Sequence, residues 1–324
     1  MMITRLSEVW PLLERAAREE GVVRLGASDL IDRHAEMFEE WIDRGHHASM
    51  AYLAKNREVR LDPRRRFPWA RSIVVMLVPY ASERPQAPAG ALSHHVARYA
   101  LGDDYHQVLD RMLRRFEEEI GRLAPEAKTW RYVDTGPLSD RAAAAQAGLG
   151  WIGRNGMLID ETNGSYLFIG TLLTSLENDI DAALVADRCG TCTRCVDACP
   201  TSAILPNRTV ASGECISYAT IEHRGALPEN VSTHLEGNAF GCDICQEVCP
   251  WNHAPAAAHP AFRARDEYRA TPVTDLLKYE QAAFSRLFRR SAVKRAKLAG
   301  MRRNVSALTG SAEVEGSPDQ SGVD

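Results

Sequence analysis

The chain has no cysteine in its first 188 residues, which excludes a disulfide or metal-thiolate framework for that half. It also lacks any apolar run near the ~20 residues a membrane helix needs. Its most apolar stretches, Ile73 to Val78 and Tyr166 to Leu173, are the length of buried strands. The opening MMITRLSEVWPLLERAAREE is broken by Arg5, Glu8 and Glu14. It has neither the apolar centre of a secretory signal nor a twin-arginine pair, so a cytoplasmic protein without a membrane partner is expected. Excess positive charge is missing too: 39 Lys and Arg against 43 Asp and Glu give −4 and a pI near 6.2. The chain as a whole is not a generally basic nucleic-acid binder, although a local patch can hide in that average. With 45% hydrophobic and 25% charged residues in 324, disordered, collagenous and coiled-coil classes are excluded.

What is present is a block of eight cysteines. CGTCTRCVDACP, from Cys189 through Cys192 and Cys195 to Cys199 and Pro200, has the Cys-x2-Cys-x2-Cys-x3-Cys-Pro spacing of a bacterial ferredoxin half. Three thiolates two residues apart wrap one cubane cluster, and the fourth, displaced by the x3 step, faces a second cluster. The second run, CDICQEVCP, supplies only Cys242, Cys245 and Cys249, with Ala239 where a first ligand would stand. Cys215 is the one cysteine left over, and it completes the count from a distance. The crossed rule then assigns Cys189, Cys192, Cys195 and Cys249 to one [4Fe-4S] cluster, and Cys199, Cys215, Cys242 and Cys245 to the other. Competing readings are paired zinc sites, which Cys-x2-Cys also suits, and Cys215 as a plain buried thiol.

The residues before this block alternate helix and strand. A helix is expected over 6–20, strands over 22–28, 72–81 and 129–134, and an amphipathic helix starting near Asp103. Asp134 thus falls at a strand end, followed by a Gly-Pro turn and an alanine-rich helix. GMLID and SYLFIGTLL are expected to form a hairpin through Glu161 to Gly164. GLGWIG is a poor dinucleotide signature because a usable loop follows the first strand, so NAD binding is rejected. From Gln281 to Gly310 the chain carries eight Lys and Arg and no carboxylate, with Phe284, Leu287, Phe288, Val293, Leu298 and Val305 interleaved. That pattern suits a basic helical pair with one buried stripe, and phosphate binding is preferred over a merely solvated face.

Several segments together resemble the epoxyqueuosine reductase family: RYVDTGPLSDRAAAAQAGLGWIGRNGMLI, CGTCTRCVDACP, ECISYATIEHRG and GCDICQEVCPWN, with HASMAYL, ARYALGDDYH and RRSAVKRAKLAGMRRN. The likeness covers most of residues 5–310. It implies an α/β (α+β) protein: a mixed-sheet cobalamin and substrate domain over 1–180, a ferredoxin-like two-cluster domain over 181–255, a basic HEAT-like helical segment over 256–310, and a disordered acidic tail over 311–324. It implies cobalamin beside the two clusters, an external low-potential reductant, a monomer, and tRNA bearing epoxyqueuosine at the wobble position as substrate. By the same resemblance Asp134 is the proton donor. Arg57, Arg98, Tyr99, Asp104, His106, Arg141, Trp151, Gly153 and Asn155 would line the corrin and substrate pocket, and Arg289, Arg290, Lys294, Arg295, Lys297, Arg302 and Arg303 would grip the tRNA backbone. Two other readings compete. A corrinoid reductive dehalogenase fits the clusters but normally carries an export signal and has no use for a basic face. A ferredoxin-like electron-transfer module leaves roughly 185 residues without a purpose.

Overall fold

The computed structural model describes residues 3–30, 33–81 and 86–310; the tail expected to be disordered lies outside them. Among the described residues the strands are β1 (Arg24–Ser28), β2 (Ser72–Pro79), β3 (Thr129–Tyr132), β4 (Trp151–Ile152), β5 (Leu158–Ile159) and β6 (Leu167–Thr174). The α-helices are α1 (Trp10–Glu19), α2 (Ala35–Asp43), α3 (Ala51–Lys55), α4 (Arg57–Leu61), α5 (Tyr105–Leu123), α6 (Asp140–Gln146), α7 (Arg194–Asp197), α8 (Ile216–Ile221), α9 (Glu229–Ser232), α10 (Ile244–Glu247), α11 (Asp266–Ala270), α12 (Gln281–Leu287) and α13 (Lys297–Thr309).

The main sheet has the order β1-β2-β6-β3, and every pairing is antiparallel. This corrects the mixed sheet. Ser28, the end of β1, pairs with Ile73 at the start of β2, so the α2–α4 excursion leaves and re-enters at one end and never crosses the sheet. A parallel neighbour needs that crossing. The hairpin expected between GMLID and SYLFIGTLL is also corrected. The turn exists as a bridge between Asp160 and Gly164, but β5 pairs with β4 while β6 inserts between β2 and β3. The buried Asp160 carboxylate holds that turn by accepting from Thr162 N and Asn163 N, with Arg24 paired to it at 2.7 Å.

The sheet is buried on both faces. Val74, Met76 and Val78 pack with Leu13 of α1 and with Leu109, Met112, Leu113 and Phe116 of α5. Ile73, Val75 and Leu77 pack with Ala143, Ala144 and Ala147 from α6 and the turn after it. Small side chains are needed there, because a Cβ on Gly26 would come within 2.8 Å of the Ala147 carbonyl oxygen. Helix α5 starts where the Asp104 carboxylate accepts the His106 N–H at 3.1 Å, a carboxylate N-cap. The C-terminal helices close no core by themselves: Phe284, Phe288, Val293 and Val305 pack with Leu92, Val96 and Leu101 and with Phe240 beside the second cysteine run. Of the expected stripe, Leu287 and Leu298 are only partly buried.

Candidate active site and cluster-binding cysteines

The eight thiols are free and half-buried. Short helices α7 and α10, which pack together, carry Cys195 and Cys245. The thiols acting on Cys195 are Cys249 and Cys189, and those acting on Cys249 are Cys189 and Cys192. Cys242 faces Cys215 and Cys199, and Cys245 faces Cys242 and Cys215. Cys195 also acts on Cys245, so the two sets of thiols are neighbours.

Burial pushes the Cys215 and Cys245 thiols up, and Cys242 up to about 12, with neighbouring thiols adding to the effect. Such buried groups become thiolates only when a cation compensates them, and the iron of a cluster supplies that charge. No three His, Cys, Asp or Glu side chains among the described residues converge tightly enough for a single ion. Trp151 Nε1 donates to Cys189 Sγ at 3.4 Å and Ala203 N to Cys199 Sγ at 3.3 Å, contacts of the kind that tune cluster potential.

An open cleft of polar side chains is defined by the groups around Asp134, and Tyr99 links it to Asp243, next to Cys242. Asp134 follows β3 with φ +59°, the left-handed region that Asp tolerates better than most residues. Gly136 closes the turn against Tyr132, whose ring leaves no room for a Cβ. The Asp134 carboxyl is two-thirds exposed. Tyr105 Oη donates to it at 2.6 Å, and His106 Nε2 stands 3.8 Å away. The other His106 nitrogen, Nδ1, is 2.8 Å from Asp104 Oδ1. Burial would raise Asp104, but the hydrogen bonds and charge of His106 outweigh it and hold the carboxyl below the usual range. A carboxylate only accepts, so Nδ1 carries a hydrogen and Nε2 faces Asp134. The array Asp104–His106–Asp134–Tyr105 can take and return protons at an open surface.

Around it, Tyr52, Arg60, Tyr99, Asp140, Arg141 and Arg295 all interact electrostatically with Asp134. Arg141 is encircled by protein atoms yet keeps solvent access, as a side chain on a cleft floor must. Tyr99 also feels Asp243, next to Cys242, so it stands between the thiols and Asp134.

Other expected pocket residues sit elsewhere. Arg57 is taken up by Glu39 and Asp43 at 2.9 and 2.7 Å; Arg60, one turn on, faces the cleft instead. Arg98 turns to the cluster side, where its N–H donates to Asp243 at 2.7 Å and its guanidinium reaches Glu247 at 3.4 Å. Trp151 is buried edge-on to Trp251, and Asn155 donates to the Cys245 carbonyl. Gly153, whose N–H donates to Met157 O, shares their loop. Trp151 and Asn155 thus sit against the cysteines. Of the seven basic residues, Arg289, Arg290, Lys294, Arg295 and Lys297 are exposed, and Arg295 is paired to Glu222 at 2.7 Å. Arg302 donates to Tyr279 O, and Arg303 to His223 O, Gly225 O and Ala219 O, so their guanidinium groups hold the fold. The sequence reading missed Tyr105, whose signal was its place between Asp104 and His106.

Residues 188–252 match the 4Fe-4S double cluster binding domain. With an acid–base array beside the thiols, this defines a two-cluster iron–sulfur oxidoreductase. Residues 60–135 match the family described as Epoxyqueuosine reductase QueG, DUF1730. An epoxyqueuosine reductase of Leadbetterella byssophila is 39% identical over 87% of this chain and 91% of its own. The chain belongs to the epoxyqueuosine reductase family, which sets aside the electron-transfer-module and dehalogenase readings. A crystal structure of epoxyqueuosine reductase with an epoxyqueuosine-modified tRNA-Tyr stem loop superposes with a TM-score of 0.85 at 28% identity, covering 94% of this chain and 82% of that one. The Bacillus subtilis enzyme, with its catalytic aspartate loop swung out of the active site, gives 0.82 at 27% identity over 94% and 82%.

Proposed function

We propose that this protein reduces the epoxide of epoxyqueuosine in tRNA to the alkene of queuosine, as a monomer in the cytoplasm, and that Asp134 is the proton donor. The observation that carries the reading is the Asp104–His106–Asp134–Tyr105 array in a chain whose residues 188–252 match a double-cluster domain. The balance is epoxide plus two electrons and two protons to alkene and water. Each four-cysteine group would hold one [4Fe-4S] cluster, relaying single electrons from an external low-potential reductant. Tyr52, Tyr99, Arg60 and Arg141, which surround Asp134, are donors that would suit the amide fringe of a corrin; cobalamin held by them would supply low-valent cobalt reactive toward a strained epoxide carbon. Asp134 gives its proton to the oxygen that must leave, and Tyr105 and His106 fix its carboxyl. Functionally, residues 1–180 form the catalytic body, 181–255 the electron relay and 256–310 the tRNA face. No helix among the described residues is long and apolar enough to cross a membrane, in keeping with a tRNA substrate.

The deciding experiment is nucleoside mass spectrometry on tRNA from cells lacking the protein, before and after treatment with reconstituted, reduced enzyme. Accumulated epoxyqueuosine that converts to queuosine is expected; unchanged tRNA would refute the reading.

On the tRNA face, reversing Arg289, Arg290, Lys294 and Lys297 together to Glu should weaken stem-loop binding by at least about tenfold and flatten its dependence on salt. Arg303→Ala should instead lower the melting temperature, because it removes the guanidinium from which Ala219 O, Gly225 O and His223 O accept. Stem-loop affinity measured from about 50 to 200 mM salt checks the first, and binding unchanged by the reversal would remove that face from the interface.

A further inference from the structure

A buried indole N–H must find an acceptor within the protein, because it can only donate. Trp151 on β4 is 4% exposed, and its Nε1 donates to Cys189 Sγ at 3.4 Å. The donor lies well before the cysteine block in sequence. Cys199, in the other group, instead takes its N–H from the backbone of Ala203 in its own loop, at 3.3 Å. The Trp151 ring is held a second time by Trp251, which follows Cys249 and Pro250 and stands edge-on with centroids 4.9 Å apart at 79°.

One guanidinium joins the strand of Trp151 to the turn of Cys189. Arg208 donates to Ile152 O at 2.8 Å and forks onto Asp187, with Nη1 to Oδ1 at 3.1 Å and Nη2 to Oδ2 at 2.6 Å. Asp187 Oδ1 in turn accepts the Cys189 N–H at 2.9 Å. Arg154 Nη2 adds a tie to Gly190 O at 2.8 Å. A planar fork fixes geometry that a lysine point charge does not, so indole and thiol are both anchored and the contact between them is set by the fold.

Reducing a [4Fe-4S] cluster adds one electron and makes or breaks no bond. The added charge spreads onto the sulfurs, so a donor hydrogen aimed at a ligand sulfur stabilises the reduced form more than the oxidised one and raises the reduction potential. Resting on the cluster assignment in the function proposed above, we propose that Trp151 is a positioning residue for electron transfer: its indole N–H raises the potential of the cluster that Cys189 holds. The catalytic body, through β4, thereby sets how readily that cluster takes an electron from the external reductant. Trp151 acts through Cys189 and touches no substrate, and Arg208 keeps the contact in register.

The test is a potentiometric titration of the reconstituted protein followed by electron paramagnetic resonance, with one single-electron wave expected for each cluster. The wave missing from Cys192→Ala belongs to the Cys189 cluster. Trp151→Phe keeps an aromatic ring against Trp251 and removes the N–H. It should lower the reduced-to-oxidised ratio of that cluster about tenfold at a fixed potential, a shift of about 59 mV to lower potential for a one-electron couple, and leave the other wave in place. Bound iron should stay at about eight per chain, which separates tuning from loss of the site. Arg208→Lys keeps the charge and loses the fork, so it should move the same wave the same way by a smaller amount; it decides the matter if Trp151→Phe does not fold. In a variant that keeps its iron, an unmoved Cys189 wave, a shift to higher potential, or equal movement of both waves would overturn the proposal. The titration uses no epoxyqueuosine, so a wild type that never reduces the nucleoside would refute the functional reading and leave this result legible.

Discussion

Asp134→Asn is expected to cut single-turnover reduction by about a hundred- to ten-thousand-fold, the range for loss of a positioned general acid, with cofactor colour and stem-loop affinity retained. Asn is chosen because the residue sits at φ +59°, where Asn is among the few side chains that rest without strain; Ala would add a backbone penalty of roughly 1 kcal/mol and blur the result. The amide oxygen still accepts from Tyr105, so the loop keeps its 2.6 Å tie. What disappears is the proton. The carboxyl is two-thirds exposed, and a general acid works best once bound substrate shields it from water. Rapid-quench assays on the reconstituted protein, with visible spectra as the control for cofactor loading, would decide it. Full activity in the variant would remove Asp134 from the reaction.

How far the sequence could be read depended on whether a residue's task is local. The helix near Asp103 and the two cysteine runs are written in spacing along the chain; α5 starts at Tyr105 with Asp104 as its N-cap, and the runs fall inside the matched double-cluster domain. The place of β6 is not local. LFIGTLLT is buried almost throughout, and a strand covered on both faces loses the alternation that would tell a hairpin edge from a sheet centre. Arg57 and Arg60 lie one helical turn apart, and charge alone cannot say which faces the cleft. Glu39 and Asp43, on a different helix, decide it by capturing Arg57. The basic run shows the same limit: that Arg302 and Arg303 donate to the carbonyls of Tyr279 and Ala219 cannot be read from charge. Asp140 reads as an ordinary acidic residue in the first turn of a helix; its enclosure by Arg60, Asp134 and Thr171 exists only in the fold.

The second large effect concerns the cysteines, and it separates a crossed from a sequential ligand set. Cys249→Ala should lower bound iron from about eight to about four per chain, although Cys249 belongs to the second run. Cys215→Ala should do the same by removing the other cluster. Ala is preferred to Ser because a hydroxyl can stand in as a ligand. The discriminating variants are the doubles. If Cys249 completes the site of Cys189, Cys192 and Cys195, then Cys192→Ala with Cys249→Ala disables one cluster twice and leaves about four irons, whereas Cys242→Ala with Cys249→Ala disables both and leaves almost none. A sequential arrangement predicts the opposite for each pair. Iron analysis with electron paramagnetic resonance of the reduced proteins reads the outcome directly. Turnover should vanish in all four variants, since either missing cluster interrupts the relay, so activity alone cannot tell the arrangements apart and the iron count must.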